Sequence, residues 1–121
     1  MVCLDTNVFI YISNKTLKRT LLLNVDAAYS TISKIEALGY GKITAIEQSI
    51  LEQLFDEYEH LTINDLIIQR TISIRQRYKI KLPDAIIAAT AIENDCTLWT
   101  VNEEDFQKIP DLKLFNPLSK K

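Results

Sequence analysis

The stretch Met1-Val2-Cys3-Leu4-Asp5-Thr6-Asn7-Val8-Phe9-Ile10 decides how the rest of the chain is read. Residues 2–4 form a short apolar run without alternation, the pattern of a strand buried on both faces. The run stops at a carboxylate, Asp5. Apolar residues at positions 8, 9, 10 and 12 then predict a short helix over 6–13. An opening of this kind predicts a strand at the centre of a sheet with an acid fixed at its end.

Working outward, residues 15–24 are basic and then leucine-rich, and read as helical. Residues 26–32 contain Ala27-Ala28-Tyr29-Ser30-Thr31-Ile32, a second strand. Ser33-Lys34-Ile35-Glu36 has the spacing of a capping box and predicts a helix start at Ser33. That helix ends near Gly39-Tyr40-Gly41. An amphipathic helix follows over 44–59, then a strand at 61–63. Asn64 suits the cap of a helix running to about Tyr78. Pro83 suits the first turn of a nearly all-apolar helix that reaches Asn94. A strand at 97–101, a helical turn at 103–108 and a strand at 112–115 complete the chain. Strands alternate with helices, which predicts an α/β fold with a parallel sheet covered on both faces.

The chain has 121 residues, 47% hydrophobic and 25% charged, enough for one domain with a real core. It reads as a single domain over 1–118 with a frayed tail at 119–121. Two glycines and three prolines argue against disorder and against a turn-rich all-β fold. No apolar run approaches the roughly 20 residues of a membrane span. No basic region precedes the first apolar segment, so it is not a signal peptide, and the expected location is the cytoplasm. Cys3 and Cys96 lie in or beside apolar runs and read as buried thiols. His60, the one histidine, excludes a histidine-rich metal site.

The net charge of −2 does not advertise nucleic-acid binding, but the charges are segregated. Residues 44–65 hold six acids and no Lys or Arg; residues 66–83 hold five bases and no acid. Such segregation marks either a binding face or two solvated helix faces.

Ligands of open α/β sheets bind beyond the C-terminal ends of the strands. Asp5 follows the first strand, Glu36 lies one helical turn past the second, and Asn102 and Asp105 follow the fourth. Asp84 opens the buried helix that precedes the fourth strand. Gathered carboxylates repel one another unless a cation sits among them, and an oxygen-only donor set suits Mg2+ or Mn2+. Each acid also has a purely structural reading: Asp5 as a helix cap, Glu36 as part of a capping box, Asp84 for the helix dipole, Asp105 as a surface acid. The residues alone leave both readings open.

The order of short motifs brings in a family. Leu4-Asp5-Thr6-Asn7 resembles the opening of PIN-domain ribonucleases. Ser33-x-x-Glu36-x-x-x-Tyr40-Gly41 is similar to their second motif, and Leu82-Pro83-Asp84-Ala85-x-Ile87-Ala88-Ala89 to their third, the most specific of the set. Thr100-x-Asn102-x-x-Asp105-Phe106 resembles the fourth, and Phe115-Asn116-Pro117 the usual ending. A stand-alone domain of this size looks like a VapC-type toxin of a toxin–antitoxin pair.

The resemblance implies a three-layer α/β/α sandwich around a parallel sheet of four or five strands. It implies metal-dependent endoribonuclease activity with Mg2+ or Mn2+, leaving a 5′-phosphate and a 3′-hydroxyl. Asp5 and Asp84 would be the principal ligands, with Glu36 and Asp105 completing the acidic quartet. Thr6 and Asn102 would hold the ligands in line through hydrogen bonds. Lys34, Arg75, Arg77, Lys79 and Lys81 are the candidate RNA contacts. The implied partners are an RNA substrate, a cognate antitoxin that blocks the site, and a second copy in a homodimer. Three rivals remain: a PIN nuclease that is not a toxin and works in RNA processing or on DNA, an inactive PIN module that only docks a partner, and a phosphatase or receiver-type α/β protein using Asp5 as phosphoacceptor. Asn7, standing where a second acid would be needed, weakens the last.

Overall fold

The computed structural model describes residues 1–118, so the expected tail at 119–121 lies outside the described residues. Five strands, β1 (Val2–Leu4), β2 (Ala27–Ser30), β3 (Glu59–Leu61), β4 (Thr97–Trp99) and β5 (Lys113–Phe115), form one sheet in the order β3-β2-β1-β4-β5. Every pairing is parallel, with Val2 opposite both Ala27 and Thr97. The apolar opening run is thus the central strand, as its pattern predicts.

Among the described residues six helices cover the sheet: α1 (Thr6–Ser13), α2 (Thr31–Leu38), α3 (Ala45–Glu57), α4 (Asp65–Arg77), α5 (Leu82–Glu93) and α6 (Glu103–Phe106). Alternation along the strands assigns side chains to two cores. Leu4, Ala27 and Tyr29 face one core with Phe9 of α1, Ala37 of α2 and Leu54 and Phe55 of α3. Cys3, Ala28 and Leu98 face the other, with Ile67 and Ile74 of α4, Ala88 of α5 and Phe106 of α6. The result is the expected α/β/α sandwich. Cys3 and Cys96 are both buried and unbridged. No helix among the described residues is long and apolar enough to cross a membrane.

The structure corrects several local expectations. Residues 15–24 hold only one 3₁₀ turn, Arg19–Leu22. Leu22 is buried there, while Leu21 and Leu23 are exposed. The third strand lies two residues earlier than expected, since Thr62 and Ile63 face solvent. The fourth stops at Trp99, short of Val101.

The most consequential correction concerns α2. Its cap is Ser30, whose Oγ accepts from the Ile32 N–H, and not Ser33. Strand β2 ends at Ser30, two residues sooner than expected, and the cap falls three residues sooner, so Ser33 is buried inside the helix and forms no capping box. The box that does form joins Thr44 and Glu47 at the start of α3.

Candidate active site

Strand β1 is the point where the chain order changes direction: β2 lies to one side of it and β4 to the other. Beyond the C-terminal ends of strands flanking such a point, backbone connections diverge and leave a crevice. Asp5 sits there, only 4% exposed. Its backbone N–H donates to the Trp99 carbonyl at 2.9 Å, which ties the end of β1 to the end of β4.

Both oxygens of Asp5 are held. Oδ1 accepts from the Thr6 N–H at 2.8 Å, so Asp5 does cap α1. Oδ2 accepts from the Thr100 hydroxyl at 2.7 Å. Thr100 Oγ1 itself accepts the Asn102 N–H at 3.0 Å, which leaves its single hydrogen for Asp5. Capping and site-building are therefore the same act for this residue.

Glu36 is carried on the second turn of α2, on the side that faces α1. The Thr6 hydroxyl lies 2.7 Å from Glu36 Oε1 and 3.2 Å from the Ser33 hydroxyl. With Ser30 as the cap, Glu36 has no backbone to close and is directed at the site. Asp84 lies in the first turn of α5, whose N-terminus comes to the same sheet edge because the helix runs back against the strands. The helix dipole there favours its negative charge. Asp105 is on α6, directly after β4, and is exposed.

The charges of these acids are felt at Asp5 and at Asp84. Burial pushes the Asp5 carboxyl up to about 6; the bonds from Thr100 and Thr6 oppose this, and the charges of Asp84 and Glu36 add to it. Asp84 is also raised, first by burial and then by Asp105 and Glu36, against the pull of Lys81. The four expected acids thus share one electrostatic neighbourhood. They do not form a closed cage: among the described residues no three His, Cys, Asp or Glu side chains stand at ligating geometry. The tethers explain this, since Asp5 and Glu36 are held by hydroxyls and a backbone N–H. The donor set nonetheless fits a hard cation. It offers only oxygen, and the repulsion that Asp84, Glu36 and Asp105 add to the effect of burial at Asp5 and Asp84 is of the kind a bound cation would relieve.

The other expected residues divide. Arg75, Lys79 and Lys81 line a cleft with Asp84 and Asp105. Arg77 faces a separate pocket with Arg70, Tyr78 and Asp111. Lys34 is exposed on α2 near Glu36. Asn102 contributes its backbone N–H to Thr100 but no side-chain cap. Three residues went unassigned in the sequence: Thr100, buried on Asp5; Ser33, buried beside Thr6; and Lys108, on the wall of the cleft. Ser33 and Thr100 open the second and fourth motifs without a role being given to either, and nothing local marks Lys108.

Comparison with known proteins adds a family and a set of structural relatives. The PIN domain family model matches residues 2–112. A chain of a toxin–antitoxin complex from Klebsiella pneumoniae is 28% identical, with 99% of this chain and 100% of that chain covered and a TM-score of 0.79. A chain of VapBC2 from Rickettsia felis, bound to a DNA fragment from its promoter, is 27% identical over 96% and 98%, with a TM-score of 0.82. A chain of VapBC-1 from nontypeable Haemophilus influenzae is 28% identical over 96% and 98%, with a TM-score of 0.75. No curated protein matches the chain significantly by sequence.

Proposed function

The chain belongs to the PIN-domain family, and on that footing we propose that it is a metal-dependent endoribonuclease serving as the toxin of a toxin–antitoxin pair. One observation carries the chemistry: a buried carboxylate, Asp5, stands at the switch point of the sheet with Asp84 and Glu36 close enough to raise it. Asp5 and Asp84 would hold Mg2+ or Mn2+, and Glu36 and Asp105 would complete the acidic set. When bound, such an ion supplies charge stabilisation on the phosphate and a nucleophile from water at neutral pH, which makes a catalytic histidine unnecessary.

The remaining groups set the geometry. Thr100 and the Thr6 N–H fix the Asp5 carboxylate in one orientation, and the Thr6 hydroxyl holds Glu36 toward it. Ligands aligned in this way lose no orientation when the cation binds. The toxin assignment rests on the relatives, whose structures are toxin–antitoxin complexes. In this reading the protein works as a homodimer in the cytoplasm, and a cognate antitoxin covers the acidic site. Exposed Leu66, Ile68 and Ile72 on α4 provide apolar surface for such contacts.

Mapping RNA 5′ ends after brief induction tests the proposal, with Asp5→Asn as the control. New 5′ ends should appear with the wild type and vanish with the variant. The same ends in both, or none with the wild type, would overturn the reading.

A further inference from the structure

The connection between α4 and α5 carries Lys79, Ile80 and Lys81, and Arg75 lies in the last turn of α4. With Lys108, just past α6, they line a cleft of about 440 Å³. Asp84 and Asp105 line the same cleft, whereas Asp5 and Glu36 do not. The cleft therefore approaches the acidic centre from one side. Its volume lies within the range of small-ligand pockets, about 300–1,000 Å³.

Four of its residues are basic and two acidic, yet among the described residues none of the four bases forms an ion pair. Arg70 differs, since Glu93 and Asp111 take its charge. Lys108 is also placed with care. Its ammonium donates to the Lys79 carbonyl at 2.7 Å, which pins it across the cleft wall and leaves two donors. The charge is positioned but not neutralised, as a phosphate contact requires. Ile80, half-buried between the two lysines, gives the cleft an apolar surface for a sugar or base.

We propose that this cleft, on the Asp84 and Asp105 side of the acidic centre, holds the phosphates of an RNA strand on one side of the bond that is cut, with Lys79, Lys81 and Lys108 as the contacts. The proposal rests on the nuclease reading above and extends it to the direction from which the substrate is gripped. Each phosphate so held releases counterions, so binding should weaken steeply with salt.

The test is the salt dependence of binding of a short fluorescent single-stranded RNA, measured by anisotropy in EDTA so that the strand stays whole. Lys79→Ala keeps the backbone carbonyl that Lys108 uses, and Lys108→Gln removes charge with little change in length. In each, the slope of log K against log salt should fall by about 0.7, the value for one lost single-strand contact. Lys113→Ala, whose ammonium is paired with Asp95 away from the cleft, should leave it unchanged. Neutral methylphosphonate linkages should weaken binding on one side of the cleavage position and not on the other. Unchanged slopes in both lysine variants, equal effects on both sides, or no RNA binding by the wild type would each overturn the proposal. So would loss of a protein partner's binding in these variants with RNA binding intact. Cleavage is scored separately. Altered slopes without any cleavage reject the nuclease reading and keep the cleft, and cleavage with unaltered slopes does the reverse.

Discussion

The Thr100 hydroxyl lies 2.7 Å from Oδ2 of Asp5 and joins residues 95 positions apart in the chain. Thr100 is fully buried and Asp5 nearly so. Losing the hydroxyl therefore strands one carboxylate oxygen and the Asn102 N–H together. Thr100→Val should cost about 1–3 kcal/mol in stability, the range for a buried polar group left without its partner. It should also weaken divalent-ion binding by about 10–100-fold, because a ligand without its orienting bond is poorly aligned. Thr100→Ser should restore most of both. Isothermal titration with Mn2+ and urea unfolding measure the two effects, and an undiminished affinity in the valine variant would contradict the role given to Thr100.

Asp5 is placed at a cost to the fold. Its carboxyl is pushed up to about 6 from 3.8. The folded protein thus binds that proton more tightly than the unfolded chain does. The Asp5 contribution favours folding fully below pH 3.8 and is lost as pH rises through about 6. A shift of this size corresponds to about 3 kcal/mol. Without divalent ions at pH 7, Asp5→Asn should be at least as stable as the wild type, by up to that amount. The gap should begin to close as pH falls below about 6, where the folded wild-type carboxyl becomes neutral, and vanish near 3.8. Thermal unfolding in EDTA across this range reads the effect; a variant much less stable than the wild type at pH 7 would count against it.

A second stability prediction lies far from the site. Lys15 has a φ of 68° just after α1, a left-handed conformation that favours glycine. Lys15→Gly should stabilise by about 0.5–1 kcal/mol, as relief of backbone strain exceeds the entropy added to the unfolded chain. Urea unfolding measures it, and a destabilised variant would show that the lysine side chain contributes more than its backbone costs.

What could be read from the chain follows from the range of each signal. The central strand, the acid at its end and helix α1 come from one continuous stretch, so pattern and spacing suffice. Asn64 caps α4 as its position predicts, with Oδ1 accepting from the Ile67 N–H at 2.9 Å. Ser33 misled because a capping box is a local pattern, and which serine caps a helix depends on where the preceding strand leaves the sheet. Ile63 misled because an apolar residue near a strand is not always inside. Thr100 stands in a motif but its role is not legible there, and Lys108 leaves no local trace, since each acts on a residue remote in sequence. Lys108 also lies outside the basic run that drew attention to Arg75, Lys79 and Lys81.

The central claim is that the Asp5, Glu36, Asp84 and Asp105 carboxylates work through a divalent cation on RNA. Cleavage of single-stranded RNA by the purified protein, followed in Mn2+, then in excess EDTA, then with Mn2+ restored, tests it most directly. Cleavage is expected in the first and last conditions, with none in EDTA and none in any condition for Asp84→Asn. Cleavage that continues undiminished in EDTA, or in the Asp84→Asn protein, would contradict it.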